Sequence, residues 1–276
     1  MFVLTLLFGI MVGFSLGLTG GGGSIFAVPL LVYGLSVEPH EAVGISLGTV
    51  GATALIGAIQ RLRAGEVEVG VGLLFAIAGM LGAPLGSRIG THVPESLLLL
   101  LFSILMLFVA IRMWLKASKR PQEARIVRAR IKTAPESERG LACPRDSSGK
   151  LTFTSRCVMM LSFVGLMTGI LSGLFGVGGG FVIVPALVLC SGMEIHRAVA
   201  TSLLVIALVS ASGVTAHFTT HQAFPFDIIG LFVLGGGFGM VLGTLLGRRL
   251  SGPRLQKIFA MAILAVAVFV ITKSVA

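Results

Sequence analysis

Two glycine runs place unpaired backbone amides at the start of short apolar segments, and exposed amides of that kind bind anions. Leu18-Thr19-Gly20-Gly21-Gly22-Gly23-Ser24 leads into Val28-Pro29-Leu30-Leu31-Val32, and Leu174-Phe175-Gly176-Val177-Gly178-Gly179-Gly180 leads into Val184-Pro185-Ala186-Leu187-Val188. Gly22-Gly23-Ser24 and Gly178-Gly179-Gly180 open the two short helices. The first N–H groups of a helix have no intrahelical acceptor, and the aligned peptide dipoles add partial positive charge there. Such an end holds an anion without a buried lysine or arginine. Glycine lets the ligand touch the backbone, and Ser24 adds a hydroxyl donor.

The two runs are copies of one segment. Moving Gly17–Leu47 forward by 156 positions matches 15 of 31 residues without a gap, among them Glu38/Glu194, His40/His196, Ala42/Ala198 and Ser46/Ser202. A duplicated, glycine-interrupted hydrophobic segment points to a transport site at the interface of two repeats. Behind each run, a third apolar segment supplies hydroxyls. Ser46, Thr49, Thr53 and Gln60 share one broad helical face, and Thr201, Ser202, Ser210 and His217 are their counterparts. Ser46, Thr49 and Ser202 are taken as substrate-lining. The alternative is that such hydroxyls bond their own helix.

Titratable groups are sparse. Glu38, His40, Glu194 and His196, with Glu41, stand where the third segments begin, and Asp227 opens a later one. Histidine changes charge near neutral pH, so these residues are candidates for proton coupling. The competing reading, and the favoured one, is that the carboxylates cap the following helices. His217 and His221 flank a loop. Gly44-Ile45-Ser46-Leu47-Gly48 matches the nucleophile-elbow pattern, which needs a strand before the serine; here it falls inside a helix. Neither glycine run continues into Gly-Lys-Ser/Thr, which argues against ATP-driven pumping. No catalytic residue, metal site or cofactor is expected.

The elements that hold these groups are membrane helices. The 276 residues are 55% hydrophobic and only 12% charged, against about a quarter in a soluble domain. Mean hydropathy is +1.01. Each half reads as five apolar segments: Phe2–Leu18, Ser24–Leu35, Glu41–Gln60, Val67–Ile89 and Ser96–Lys116, then Val158–Leu174, Gly180–Ser191, Arg197–His217, Phe226–Leu250 and Arg254–Thr272. The first reads as a mature helix, lacking a basic leader pattern. The second segments are too short for a hydrocarbon core of roughly 30 Å, so segments one and two form a bent hairpin whose turn lies at depth. Pro29 and Pro185 suit an early turn of these helices. Glycines spaced by four (Gly9/Gly13/Gly17 with Gly165/Gly169/Gly173, and Gly82/Gly86/Gly90 with Gly239/Gly243/Gly247) are expected to be packing ridges.

Charge orients the chain. Of 21 Lys and Arg, 12 fall between Arg112 and Arg156, in and around a polar linker, 117–155. A cytoplasmic linker with oppositely oriented halves puts 19 of the 21 inside, leaving Arg88 and Lys273 out. Parallel halves divide them 15 to 6. The expected architecture is therefore an all-α polytopic membrane protein of two inverted repeats, 1–116 and 156–276. Each repeat has a glycine-broken hairpin plus three helices, about eight to ten membrane segments in all. Clustering of the cations beside the spans accounts for the net charge of +10, and nothing interleaves aromatic and basic residues as a nucleic-acid surface does. Cys143, Cys157 and Cys190 lack metal spacing, and their odd number argues against a framework of bridges.

The doubled motif, a glycine run followed by Val-Pro-Leu-Leu and then Val-Pro-Ala-Leu, resembles the sulfite exporter TauE/SafE family of membrane permeases across nearly the whole chain. Gly20, Gly22, Gly23 and Pro29 fit the first motif, and Gly176, Gly178, Gly179 and Pro185 the second. Val177 opposite Gly21, and Gly180 opposite Ser24, depart from symmetry. The resemblance implies export of small sulfur-containing anions such as sulfite or organosulfonates. The combined expectation is a secondary transporter, not an enzyme, in a bacterial inner membrane. Its partners would be a small anion, the lipid bilayer and protons as coupling ion. A permease for another solute and a non-transporting assembly or sensor component are the alternatives.

Overall fold

The computed structural model describes residues 2–119, 154–191, 193–220, 226–247, 261, 263–270 and 272. His221 lies outside the described residues, as do most of the linker and much of the final apolar segment.

Among the described residues the chain is helical throughout. The helices are α1 (Phe2–Thr19), α2 (Gly22–Gly34), α3 (Pro39–Arg63), α4 (Val69–His92), α5 (Glu95–Lys119), α6 (Ser155–Phe175), α7 (Gly180–Ser191), α8 (Ile195–Thr220) and α9 (Phe226–Gly247). Six of them, α1, α3, α4, α6, α8 and α9, are long and apolar enough to cross a membrane. α5 carries a shorter apolar stretch, Glu95–Ile111. At 1.5 Å per residue the 12 residues of α7 rise about 18 Å, well short of a bilayer core. α2 is irregular: a tight 3₁₀ turn at Gly22–Phe26 runs into a wide turn at Leu30–Gly34. Pro185 is the sixth residue of α7, and Pro29 lies where the 3₁₀ turn of α2 gives way to its wide turn.

The outside is apolar. Leu73, Ile77, Leu81, Leu85 and Ile89 recur every four residues along one face of α4, all exposed. Its opposite face buries Phe75, Gly79, Gly82 and Gly86. Exposed hydrocarbon around a small, Ser/Thr-rich interior suits lipid as the solvent, and the chain is an integral membrane protein.

Packing pairs each half with the other. α1 lies on α9 and α4 lies on α6, both pairs running in the same direction. A Cβ added to Gly9 would meet the Phe232 carbonyl oxygen at 2.5 Å, one on Gly17 the Met240 oxygen at 2.6 Å, and one on Gly165 the Phe75 oxygen at 2.6 Å. The glycine ridges are therefore backbone-on-backbone contacts. α3 and α8 form the centre and run antiparallel: Gly44 abuts His217, Gly51 abuts Ser210, and Gly57 abuts Leu203.

Pro84, inside α4, removes the amide that would bond the Met80 carbonyl. Ser212 on α8 supplies the missing donor, Oγ to Met80 O at 2.7 Å. α5 buries Leu98, Phe102 and Met106 on one stripe, and Phe102 meets Phe175 with ring centroids 5.7 Å apart. Cys157 is disulfide-bonded, and Cys190 is a buried free thiol.

Candidate functional site

Both glycine turns are buried, every residue of Gly20–Ser24 and of Gly176–Gly180 included. They touch: a Cβ on Gly21 would come 2.5 Å from Gly180 Cα. The turns meet α3 and α8 near the middles of those helices, around Ser46–Gly51 and Ser202–Ser210. Both irregular backbones are enclosed by protein, as such backbone within a bilayer has to be.

Each turn begins the same way. Gly20 (φ +73°) and Gly176 (φ +70°) are left-handed and close their preceding helices by N–H bonds to Leu16 O (2.7 Å) and Ser172 O (2.9 Å). Their carbonyls then take hydroxyls from the opposite half. Ser46 Oγ donates to Gly176 O at 2.6 Å, and Ser202 Oγ donates to Gly20 O at 2.5 Å. The 156-residue shift that maps Ser46 on Ser202 also maps Gly20 on Gly176, so the two bonds are one bond made twice.

Several other predicted lining groups are engaged. Thr49 Oγ1 donates to Ile45 O at 2.8 Å, and Thr53 Oγ1 to Thr49 O at 2.7 Å, both within α3. Ser24 Oγ donates to Gly21 O at 2.7 Å, closing its own turn. Thr201 Oγ1 accepts from Glu68 N at 3.0 Å. Ser46 lies in mid-helix, not on a strand-to-helix elbow, as the sequence reading required for rejecting a nucleophile there.

In the second turn Gly178 (φ +64°) and Gly179 (φ +67°) are also left-handed, and Val182 N and Ile183 N bond Gly179 O at 3.0 and 3.1 Å. That leaves the preceding amides as the first, intrahelically unpaired donors of α7. Around them the buried polar side chains are serines and threonines. The buried ionisable residues named along the described spans, Arg61 and His217, stand near helix ends.

Glu38, Glu41, Glu194 and His196 are exposed, and His40 is half-buried. Glu38 occupies the N-cap of α3 without a side-chain cap bond, and Pro39 takes the first helical position. The capping role expected for that carboxylate is not made; only its backbone carbonyl is used, by Ala42 N at 2.8 Å. Asp227 lies exposed in the first turn of α9.

Two arrangements were not legible beforehand. His217 is buried, and with His40, Ser87 and Thr91 it lines a cavity of about 10 Å³, space for a single water. At the other end of the bundle, Arg61 pairs with Glu66 at 3.1 Å and Arg197 with Glu68 at 3.6 Å, the latter joining the halves. Arg61 and His217 are equivalent under the same shift, so each third helix ends on a buried basic residue at its negative pole.

The family model described as sulfite exporter TauE/SafE matches residues 5–270. A probable membrane transporter protein of Xylella fastidiosa (strain 9a5c) is 38% identical over 275 residues, covering 99% of this chain and 95% of the relative. The probable membrane transporter protein YunE of Bacillus subtilis (strain 168) is 27% identical over 273 residues, covering 96% and 95%. MJ0441 of Methanocaldococcus jannaschii, with the same description, is 27% identical over 230 residues, covering 80% and 75%. No solved structure matches the chain. A helical membrane bundle with paired glycine turns at its centre and a family match along nearly its whole length is a membrane transporter and not an enzyme, and the chain belongs to the sulfite exporter TauE/SafE family.

Proposed function

We propose that this transporter is a secondary exporter of a small sulfur oxyanion, sulfite or an organosulfonate, bound where the glycine turns of α2 and α7 meet. The observation that carries the reading is the contact of Gly21 with Gly180 inside the bundle. It brings together two helix starts whose amides attract negative charge. The family description supplies the sulfur chemistry. The Lys/Arg distribution supports a cytoplasmic linker in a bacterial inner membrane.

The antiparallel run of α3 and α8 supports halves inserted in opposite orientations. Rocking one half against the other would then expose the glycine crossing alternately to each side. Glu38 and His40, at the start of α3, and Glu194 and His196, at the start of α8, lie at opposite ends of the antiparallel pair and are the candidates for proton coupling.

Flux of labelled sulfite from proteoliposomes tests the assignment. The intact protein should move sulfite, and Gly22→Leu and Gly178→Leu should abolish the flux while the protein still inserts. Equal flux from all three would remove the glycine turns from the site. Movement of carboxylates with no response to sulfite would favour the permease for another solute.

A further inference from the structure

The two glycine turns differ in one respect that bears on binding. Near the second turn stand two fully buried hydroxyls, Ser172 on α6 and Ser210 on α8, and neither has a hydrogen-bond partner. Ser210 Oγ lies 3.4 Å from the position a Cβ would take on Gly178. Ser172 Cβ lies 3.6 Å from the same position on Gly179. The 156-residue shift places Leu16 and Ala54 at the matching positions of the first half, both fully buried and apolar.

A buried hydroxyl without a partner is costly, and native structures keep few. Several hydroxyls near the turns are engaged: Ser46 and Ser202 bond across the halves, and Ser24, Thr49, Thr53 and Thr168 bond backbone carbonyls. Ser172 and Ser210 keep donors in reserve beside the unpaired first amides of α7.

We propose that the anion seat is asymmetric. It is built on the second turn from the Ser172 and Ser210 hydroxyls and the leading amides of α7, while the first half, with Leu16 and Ala54 at the matching positions, adds no equivalent hydroxyls. This rests on the anion-transport reading and deepens it. The seat offers only neutral donors, so its ligand is a small oxyanion recognised by hydrogen bonds through two or more oxygens. Crowding around Gly178, where an added Cβ would come 3.0 Å from Ile206 and 3.1 Å from Val50, keeps that ligand small.

The test uses purified full-length protein in nanodiscs, with sodium sulfite and sodium methanesulfonate as probes and sodium chloride at matched ionic strength as blank. Ser210→Ala and Ser172→Ala each delete one oxygen, and Ser103→Ala, whose hydroxyl bonds Leu99 O at 2.7 Å in α5, is the control. Each seat variant should weaken sulfite binding about tenfold or more. Without ligand, its unfolding midpoint should stay level or rise, because an unpartnered buried donor has been removed. Ser103→Ala should leave affinity unchanged.

Wild-type affinity in both seat variants would overturn the asymmetric seat while leaving anion transport intact. So would a lowered midpoint with unchanged affinity, the mark of a structural hydroxyl. No binding of either probe by the wild-type protein would overturn the anion reading itself, and the seat with it.

Discussion

The Ser46 hydroxyl on α3 of the first half donates a 2.6 Å hydrogen bond to the carbonyl of Gly176, the residue that ends α6 in the second half. Because Ser202 and Gly20 repeat the relationship, each half's glycine turn is held by the other half's central helix. The turn that carries the proposed site is thus also a joint between the repeats. Ser46→Ala should leave the buried Gly176 carbonyl unpaired at a cost of about 1–3 kcal/mol. Ser202→Ala should cost a similar amount through Gly20. Thermal unfolding in detergent measures both, and a stability unchanged by either substitution would show that the bonds do not hold the turns.

The bond from Ser212 to Met80 compensates for Pro84. Ser212→Ala alone should destabilise by about 1 kcal/mol. In a Pro84→Ala background the helix recovers its own amide for Met80 O, so the same substitution should cost less. A double-mutant cycle on unfolding free energy reads the coupling, expected at about 0.5–1 kcal/mol. Strict additivity would mean that Ser212 does not stand in for the missing amide.

Glycines that look alike in the sequence should respond differently. Nothing lies within 4 Å of a Cβ placed on Gly230, which sits exposed in α9. Gly230→Ala should therefore be neutral or stabilising by up to about 1 kcal/mol through helix propensity. Gly169 abuts the backbone of Gly79 across the α4–α6 contact, and Gly169→Ala should separate those helices and lower the yield of folded protein. Size-exclusion profiles and midpoints distinguish the two, and comparable behaviour would contradict the packing described.

His40→Gln tests the proton-coupling assignment. Uptake driven by an imposed pH gradient should fall several-fold, while exchange of labelled for unlabelled anion at equal pH should persist. Gradient-driven uptake at wild-type level would take His40 out of the coupling path.

Much of the architecture was readable because lipid restricts the choices. Apolar runs of about 20 residues leave the backbone no alternative to helix, so the segment bounds came within a few residues, and Gly180–Ser191 coincided with α7. The duplicated residues also marked, by their shared spacing, which positions would be structural equivalents. Partners were another matter. Whether a hydroxyl turns to its own i−4 carbonyl, as in Thr49, or crosses to another helix, as in Ser46, depends on what faces it. No spacing rule separates residues only three positions apart.

The amino-acid string by itself determined a membrane-embedded helical chain, a doubled glycine-broken segment and membership of a transporter family, since composition, periodicity and repetition are properties of the string. Only the tertiary structure decided that the two turns touch and which hydroxyls they consume. It alone distinguished Ser172 and Ser210, left without partners, from the bonded serines around them. The reason is geometric: a hydrogen bond is set by atoms a few ångströms apart, and across a helix interface those atoms come from positions more than a hundred residues distant in the chain.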